Sequence, residues 1–297
     1  MRPSKRDPTV GVLLPTFDGT RSGVTPPVLE GARLIEQAGF DAAWVGDHLA
    51  CPSPLLDAVT CLGAAAAVTE RINLGFSVML LGLRPTAWTA KQLVTIDALA
   101  PGRLKLGVGV GGEFPYEFEA AGVPLNQRGK RLDRGLDELP ALLDGSGPLK
   151  PAISAKPPIY VGGRGEPALK RAAKHADFWL PMWLSPRSIA KRKEKLDELA
   201  AGRETPRLAS LILVHVDDDT TTARAQAERH IQGQYGMDLE KIEHWTGLGS
   251  ATHIAEQLHA YTEVGVEEFI LMPLGTDPLT QIDRLAEVKE SLTCVYS

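Results

Sequence analysis

The stretch Pro101-Gly-Arg-Leu-Lys-Leu-Gly-Val-Gly-Val-Gly-Gly-Glu113 is the most informative part of this sequence. Its residues alternate in character from Leu104 onward, which predicts a β-strand. Gly107, Gly109 and Gly111 recur at every second residue and therefore fall on one face of that strand. Three glycines on one face leave room for a bulky neighbour. That neighbour is either a flat ring lying over the end of the strand or the crowded interior of a barrel.

The same stretch does not match a dinucleotide-binding fingerprint. Glu113-Phe-Pro-Tyr follows Gly112 with no helix starting at once, whereas that fingerprint needs a helix N-terminus for its pyrophosphate. A nicotinamide enzyme built on a Rossmann sheet is therefore not predicted.

Strand and helix patterns alternate about eight times along the chain. The strands are predicted at Val10–Pro15, Ala42–Gly46, Ile72–Leu80, Leu104–Val110, Ile159–Gly163, Phe178–Met182, Leu208–Val216 and Glu268–Met272. The helices are predicted at Pro27–Ala38, Leu55–Val68, Ala87–Leu99, Arg128–Leu143, Pro167–His175, Pro186–Ala201, Thr221–Tyr235, Ala251–Val264 and Leu279–Leu292.

Short apolar strands separated by helices imply a parallel sheet. Eight such units in a chain of 297 residues fit a (β/α)8 TIM barrel, with an enlarged loop after the fourth strand. No linker or change of composition divides the chain, so we expect a single domain over residues 1–297.

Composition excludes several classes of partner. A net charge of −5 provides no basic field for nucleic acid, and no apolar run reaches membrane-spanning length. The charged start at Met1–Asp7 has no apolar stretch before Val10, so we expect no secretion signal. Three cysteines without metal-like spacing favour a reducing, cytoplasmic location and no metal site.

Functional residues of a (β/α)8 barrel lie at the carboxyl ends of its strands. Strand two ends in Asp47-His48. Histidine can act there as an acid, a base or a hydrogen-bond donor near neutral pH, and Asp47 could accept from a cofactor. The alternative is a helix-capping aspartate beside a structural histidine. Glu113 follows the strand-four glycines and is either a proton donor to substrate or a solvated loop charge.

Strand five ends in Gly162-Gly163-Arg164-Gly165 and leads directly into a helix. Glycines at a helix N-terminus present free N–H groups, and Arg164 adds a positive charge, so this segment is a candidate phosphate cradle. The alternative is a tight turn with a helix cap. Met182, at the end of strand six, is a candidate wall of the same pocket.

Together these motifs resemble the luciferase-like flavin- or deazaflavin-dependent oxidoreductases, from about Val10 to Leu292. The motifs in chain order are Gly46-Asp-His48, Ala90-Lys-Gln with Ile96-Asp-Ala-Leu-Ala-Pro-Gly-Arg103, Leu106-Gly-Val-Gly-Val-Gly111, Phe118-Glu-Ala-Ala-Gly-Val-Pro124 with Arg128-Gly-Lys-Arg131, Pro158-Ile-Tyr-Val-Gly-Gly163 and Gly249-Ser250 with Gly265-Val266. Each is short, and their specificity comes from their shared order.

The resemblance implies a (β/α)8 barrel that binds FMN or coenzyme F-420, usually as a homodimer. It implies a cis peptide at Ser77–Val78, against which the cofactor ring would lie. It places His48 near the redox centre and Glu113 as an acid. Arg134 stands where many members have an acidic residue, and Trp88 is unusually large for its position, so the substrate pocket is not defined by the resemblance.

Asp47-His48, the compact length and the Gly111-Gly-Glu113 ending resemble the deazaflavin branch more than the FMN branch. The predicted function is hydride transfer between coenzyme F-420 and a small organic substrate. The alternatives are a monooxygenase that uses reduced FMN and oxygen, and a flavin-binding barrel without turnover.

Overall fold

A computed structural model describes residues 7–19, 23 and 25–294 of the chain. Residues 1–6, which include most of the segment where no secretion signal was expected, lie outside the described residues. The strands are β1 Thr9–Leu13, β2 Ala42–Val45, β3 Asn73–Met79, β4 Leu104–Val108, β5 Ile159–Gly162, β6 Phe178–Leu180, β7 Arg207–Val216, β8 Gly247–Gly249 and β9 Val266–Pro273.

These strands form a closed parallel barrel, as the sequence predicted. The pairing runs from β1 through β7 in order, β7 pairs with β9, and β9 pairs with β1, so eight of the described strands complete the circle. The short strand β8 is an addition that pairs with the end of β7.

The helices surround the barrel. They are α1 Val28–Gln37, α2 Ala58–Val68, α3 Thr86–Leu99, α4 Pro115–Ala120, α5 Arg128–Leu143, α6 Glu166–His175, α7 Pro186–Leu199, α8 Thr220–Tyr235, α9 Ala251–Glu263 and α10 Pro278–Cys294. The sequence did not predict α4 or β8, because elements of six and three residues are too short to show a hydrophobic period.

Alternate residues of the strands separate two apolar layers. In β2, Ala43 and Val45 pack toward the helices, whereas Ala42 and Trp44 lie in the barrel interior with residues such as Tyr160. This period of two places every second strand residue inside the barrel. Because the strands are parallel, their carboxyl ends all meet at one mouth of the barrel.

Gly107 of β4 and Gly109, just after this strand, accommodate a bulge in β3. The register between the two strands shifts between Phe76 and Met79. A Cβ added at Gly107 would lie 2.1 Å from the Phe76 carbonyl oxygen, and one at Gly109 would lie 2.5 Å from Val78 Cγ2. The crowded-interior explanation therefore accounts for these two glycines. The common face does not extend to Gly111, because β4 ends at Val108 and Gly111 turns away with φ +60°.

Among the described residues, none of the helices combines the length and the apolar character needed to cross a membrane. Cys51 and Cys61 are not in a disulfide with any described residue.

Candidate functional site

A cavity of about 180 Å³, which we call the mouth cavity, opens at the carboxyl ends of the strands. Most of the residues predicted from the sequence line it, namely Asp47, His48, Ser77, Val78, Gly111, Glu113, Gly162, Gly163, Arg164 and Met182. Gly165 is not among the lining residues and is instead the N-cap of α6. Residues that are far apart in the sequence are thus brought around one space.

His48 is paired with a buried carboxylate that the sequence did not reveal. Its Nδ1 lies 3.1 Å from Oε2 and 3.3 Å from Oε1 of Glu117, whose side chain is 0% exposed. The backbone N–H of Leu49 also donates to Glu117 Oε2 at 3.1 Å. Because a carboxylate accepts hydrogen bonds, Nδ1 carries the proton. The Nε2 atom of the neutral ring is then an acceptor, and it has no partner in the part of the chain that the structure describes.

Two aromatic rings fix the plane of His48. The Phe114 ring lies 5.0 Å away at 66°, and the Phe17 ring lies 6.4 Å away at 72°. These edge-on contacts restrict rotation of the imidazole. Rings from the loops after β1 and β4 therefore hold His48, which follows β2, in one orientation.

Glu117 was missed because nothing local marks it. It lies in the short helix α4, four residues after Glu113, and both are ordinary loop carboxylates when only the sequence is considered. The structure separates them, since Glu117 is fully buried beneath His48 and Glu113 is exposed at the rim of the mouth cavity.

Asp47 is held by the protein on both carboxylate oxygens. Arg84 Nη2 donates to Oδ1 at 2.8 Å, and Arg84 Nη1 together with the Leu80 N–H donates to Oδ2. Asp47 is buried, and its side chain still lines the mouth cavity. Its observed contacts fix the end of β2 to the segment that follows β3.

The Ser77–Val78 peptide is cis, as the resemblance implied. The Val78 side chain lies against the backbone at Gly109, and a Cβ added at Gly162 would approach Val78 Cγ1 to 3.1 Å. Val78 thereby forms part of the cavity floor between β3, β4 and β5. Ser77 Oγ is buried and has no hydrogen-bond partner among the described residues.

The segment from Gly162 to Gly165 runs from β5 into α6. Gly163 has φ +116°, and a Cβ there would lie 2.9 Å from the Ala168 Cβ, so glycine is required. The N–H groups of Gly163, Arg164 and Gly165 have no acceptor within the described ranges. Free backbone N–H groups beside a helix N-terminus can bind an anion.

Trp183 forms the wall beside this segment. It has a left-handed backbone at φ 57°, which is rare for a bulky residue, and its Nε1 is buried without an acceptor in the described chain. The Arg164 guanidinium lies 5.5 Å from its ring centroid. Tyr235 packs edge-on against the same ring at 5.6 Å.

Burial raises the pKa of Tyr235, and the nearby charge of Glu113 raises it further. The phenol therefore stays protonated at neutral pH and can donate a hydrogen bond. Tyr235 and its neighbour Gln234 lie at the end of α8, where helical periodicity alone gives no indication of a pocket. The sequence therefore did not identify them.

The features that bear on the class of protein are a parallel barrel, a mainly apolar cavity at its mouth, a histidine–carboxylate pair and a glycine-rich turn that leads into α6. Comparison with known proteins then identifies the family. The profile of luciferase-like monooxygenases matches residues 9–268, and the chain belongs to this family. It is a luciferase-like oxidoreductase.

The similar proteins include sequence relatives and several solved structures. An uncharacterized protein of Mycobacterium tuberculosis is 31% identical over 59% of this chain and 72% of its own length. An F420-dependent secondary alcohol dehydrogenase in complex with an F420-acetone adduct has a TM-score of 0.82 at 18% identity, covering 97% of this chain and 99% of that one. The monooxygenase RslO1 from Streptomyces bottropensis has a TM-score of 0.79 at 18% identity, covering 97% and 100%. These structural similarities support the fold.

Proposed function

We propose that this protein transfers hydride between coenzyme F-420 and a small organic substrate. The observation that carries the proposal is the pairing of His48 with buried Glu117 at the mouth cavity, where Nε2 is left available. A redox reaction at an oxygen-bearing carbon also moves a proton, and this pair can handle that proton.

The residues present fit a flat, phosphate-bearing cofactor. Ser77 Oγ and Trp183 Nε1 are buried polar atoms without partners in the described chain, and a bound ring could supply those partners. The N–H groups from Gly163 to Gly165 would hold a phosphate, with Arg164 adding charge. Val78, Gly111 and Met182 would contact the ring, and Asp47 would act at its edge. A bound deazaflavin supplies hydride exchange at a ring carbon.

His48 is the proposed acid–base residue. Its Nε2 takes up or releases the proton at the substrate oxygen, and Glu117 stabilises the charged imidazolium that results. Glu117 acts through His48 and is a positioning residue. Glu113, exposed at the rim, is the proposed second proton-transfer group, which exchanges protons with solvent.

The second candidate is an FMN-dependent monooxygenase. The family description and the fold shared with RslO1 favour it. The glycine-rich turn does not discriminate, because FMN also carries a phosphate.

Absorbance titration of the purified protein with F-420 and, separately, with FMN tests the choice of cofactor. We expect F-420 to bind at least tenfold more tightly and turnover to proceed without oxygen when reduced F-420 is the only electron source. Tighter binding of FMN together with a strict need for oxygen would establish the monooxygenase instead. Homodimeric assembly, a single domain and a cytoplasmic location remain predictions, and light scattering tests the first.

A further inference from the structure

The proposed cofactor residues occupy one half of the mouth cavity. They extend from the end of β2 to the end of β6. The other half is lined by Leu211 of β7, Gln234 and Tyr235 of α8, and Met272 of β9. A substrate that meets the cofactor face to face has this half available.

A second cavity adjoins that half, and we call it the side cavity. It measures about 210 Å³ and lies between the loop after β1 and the loop after β9. Leu13, Phe17 and Met272 line both cavities. His230 lines the side cavity and Gln234 lines the mouth cavity, so these two residues of α8 stand in the wall between them.

Hydrogen bonds across this wall determine which way the Gln234 amide points. His230 Nδ1 lies near both backbone groups of Gly275, with the N–H, a fixed donor, at 3.1 Å and the carbonyl oxygen farther away at 3.3 Å. No other acceptor for this N–H lies in the part of the chain that the structure describes, so Nδ1 presents its lone pair. The proton is therefore on Nε2, which donates to Gln234 Oε1 at 2.9 Å. The Gln234 amide nitrogen is left without an acceptor in the described chain, and it belongs to the cavity-lining end of the side chain.

His230 cannot reorient to relieve this arrangement. Its side chain is buried, and a Cβ added at Gly19 would lie 2.4 Å from its Nε2, so the loop after β1 rests directly on the ring. Burial lowers the pKa of His230, which keeps the ring neutral at ordinary pH. The relay from Gly275 through His230 to Gln234 is thus fixed before any ligand binds.

We infer that Gln234 is a substrate-positioning residue whose amide nitrogen donates a hydrogen bond to a carbonyl-type oxygen of the substrate. Leu211 and Met272 would contact the apolar remainder of that substrate, which extends toward the side cavity. The inference rests on the proposed function in one respect, namely that the cofactor occupies the half of the mouth cavity opposite Gln234. The substrate class is a small apolar compound that carries an acceptor oxygen.

Calorimetric titration with cyclohexanone and with cyclohexene, its oxygen-free analogue, tests the inference on the F-420-loaded protein. Gln234→Leu should weaken cyclohexanone binding about five- to tenfold, the range of one neutral hydrogen bond, and leave cyclohexene binding unchanged. Gln234→Glu, which replaces the donor by an acceptor, should weaken it at least as much. His230→Phe releases the amide and should give an intermediate loss. Gln232→Leu, on the exposed side of α8, is the matched control.

Three results would overturn the inference. They are no detectable binding of cyclohexanone to the wild type, an equal effect of Gln234→Leu on both compounds, and a loss of F-420 affinity in Gln234→Leu with cyclohexanone affinity unchanged. The last would assign the donor to the cofactor. Calorimetry does not use the cofactor as its reporter, so the same titration without F-420 separates failure of this inference from failure of the proposed function.

Discussion

The two ends of the barrel interior differ in whether their polar groups have hydrogen-bond partners within the protein. At the amino-terminal end, Lys105 Nζ lies 2.7 Å from Glu268 Oε1, and the Tyr160 hydroxyl donates to Glu268 Oε2 at 2.8 Å. Lys105 also lies over the Trp44 and Tyr160 rings. At the carboxyl-terminal end, His48 Nε2 and the Gln234 amide nitrogen have no partner within the described residues.

The difference indicates where ligand binding energy is available. A buried polar group without a partner is costly, and a ligand that supplies the partner removes that cost. At the amino-terminal end, Lys105 and Tyr160 supply the hydrogen-bond donors that Glu268 needs. Burial beside the Glu268 charge raises the pKa of Tyr160, which keeps the phenol protonated as a donor. The indole nitrogen of Trp44 is the exception there, since it has no acceptor in the described chain. Variants at the carboxyl-terminal end should therefore change mainly activity, and variants at the amino-terminal end should change mainly stability.

The largest effect is expected at His48. His48→Ala should lower turnover by about 10²–10⁴-fold, because it removes the acid–base group, and should leave cofactor affinity nearly unchanged. It should also lower thermal stability, because buried Glu117 then keeps only the Leu49 N–H as a donor. Steady-state kinetics, cofactor titration and thermal unfolding check this. His253→Ala, at an exposed position of α9, serves as the control. Retained turnover with lowered stability would show that His48 is a structural histidine.

Removing the Lys105–Glu268 ion pair at the amino-terminal end of the barrel should lower stability rather than turnover. Lys105→Met alone should lower the free energy of unfolding by about 3–5 kcal/mol, because it leaves the Glu268 charge buried and unpaired. Replacing Lys105 and Glu268 with Met and Tyr160 with Phe together should recover most of that loss. Asp197→Ala, which breaks an exposed pair with Lys193, should cost about 0–1 kcal/mol. Urea unfolding measures all three, and similar losses for Lys105→Met and Asp197→Ala would contradict the comparison.

Glu113 tests the role of the rim. Glu113→Gln keeps the size of the side chain but cannot ionise, so it should slow the chemical step about tenfold and flatten one limb of the pH–rate profile. The loss should be smaller than for His48→Ala, since solvent can reach the exposed position. An unchanged profile would reduce Glu113 to a solvated loop charge.

The turn from Gly162 to Gly165, the proposed phosphate site, should not tolerate a side chain at Gly163. Gly163→Val should weaken cofactor binding at least tenfold, equal to about 1.4 kcal/mol, while the fold is retained. Gly202→Val is the matched control, because Gly202 also has a positive φ of +93° but a Cβ added there would meet no atom within 4 Å. Circular dichroism verifies folding, and absorbance titration measures affinity. If both variants bind equally well, the phosphate is held elsewhere.

The smallest effect is expected at Glu36 of α1, whose carboxylate accepts hydrogen bonds from N–H groups just before β3. Burial alone would raise its pKa, but the N–H groups of Arg71, Ile72 and Glu70 outweigh burial and hold the pKa below its ordinary 4.5. The stabilisation is therefore complete above pH 4.5 and is lost as pH falls through the lowered pKa of the folded state. Glu36→Gln should cost about 1 kcal/mol at pH 7 and nothing in stronger acid. Urea unfolding across this range checks the sign.

Local sequence determined the order of the barrel and most of the residues around its mouth. Strands and helices have distinct hydrophobic periods, so their alternation specified the (β/α)8 barrel before any contact was known. Parallel strands all present their carboxyl ends at one mouth, which is why His48, Ser77, Gly163 and Met182 could be assigned to one cavity.

The tertiary structure alone decided how those residues are paired. Glu117 lies 69 positions from His48, and Gly275 lies 45 positions from His230, and no short-range pattern encodes either distance. A hydrogen bond depends on atoms approaching to about 3 Å, which only the packing of the loops between the strands determines. The same packing buried Glu117, exposed Glu113 and turned the Gln234 amide, so residues of similar chemistry in the sequence acquired different roles in the folded protein.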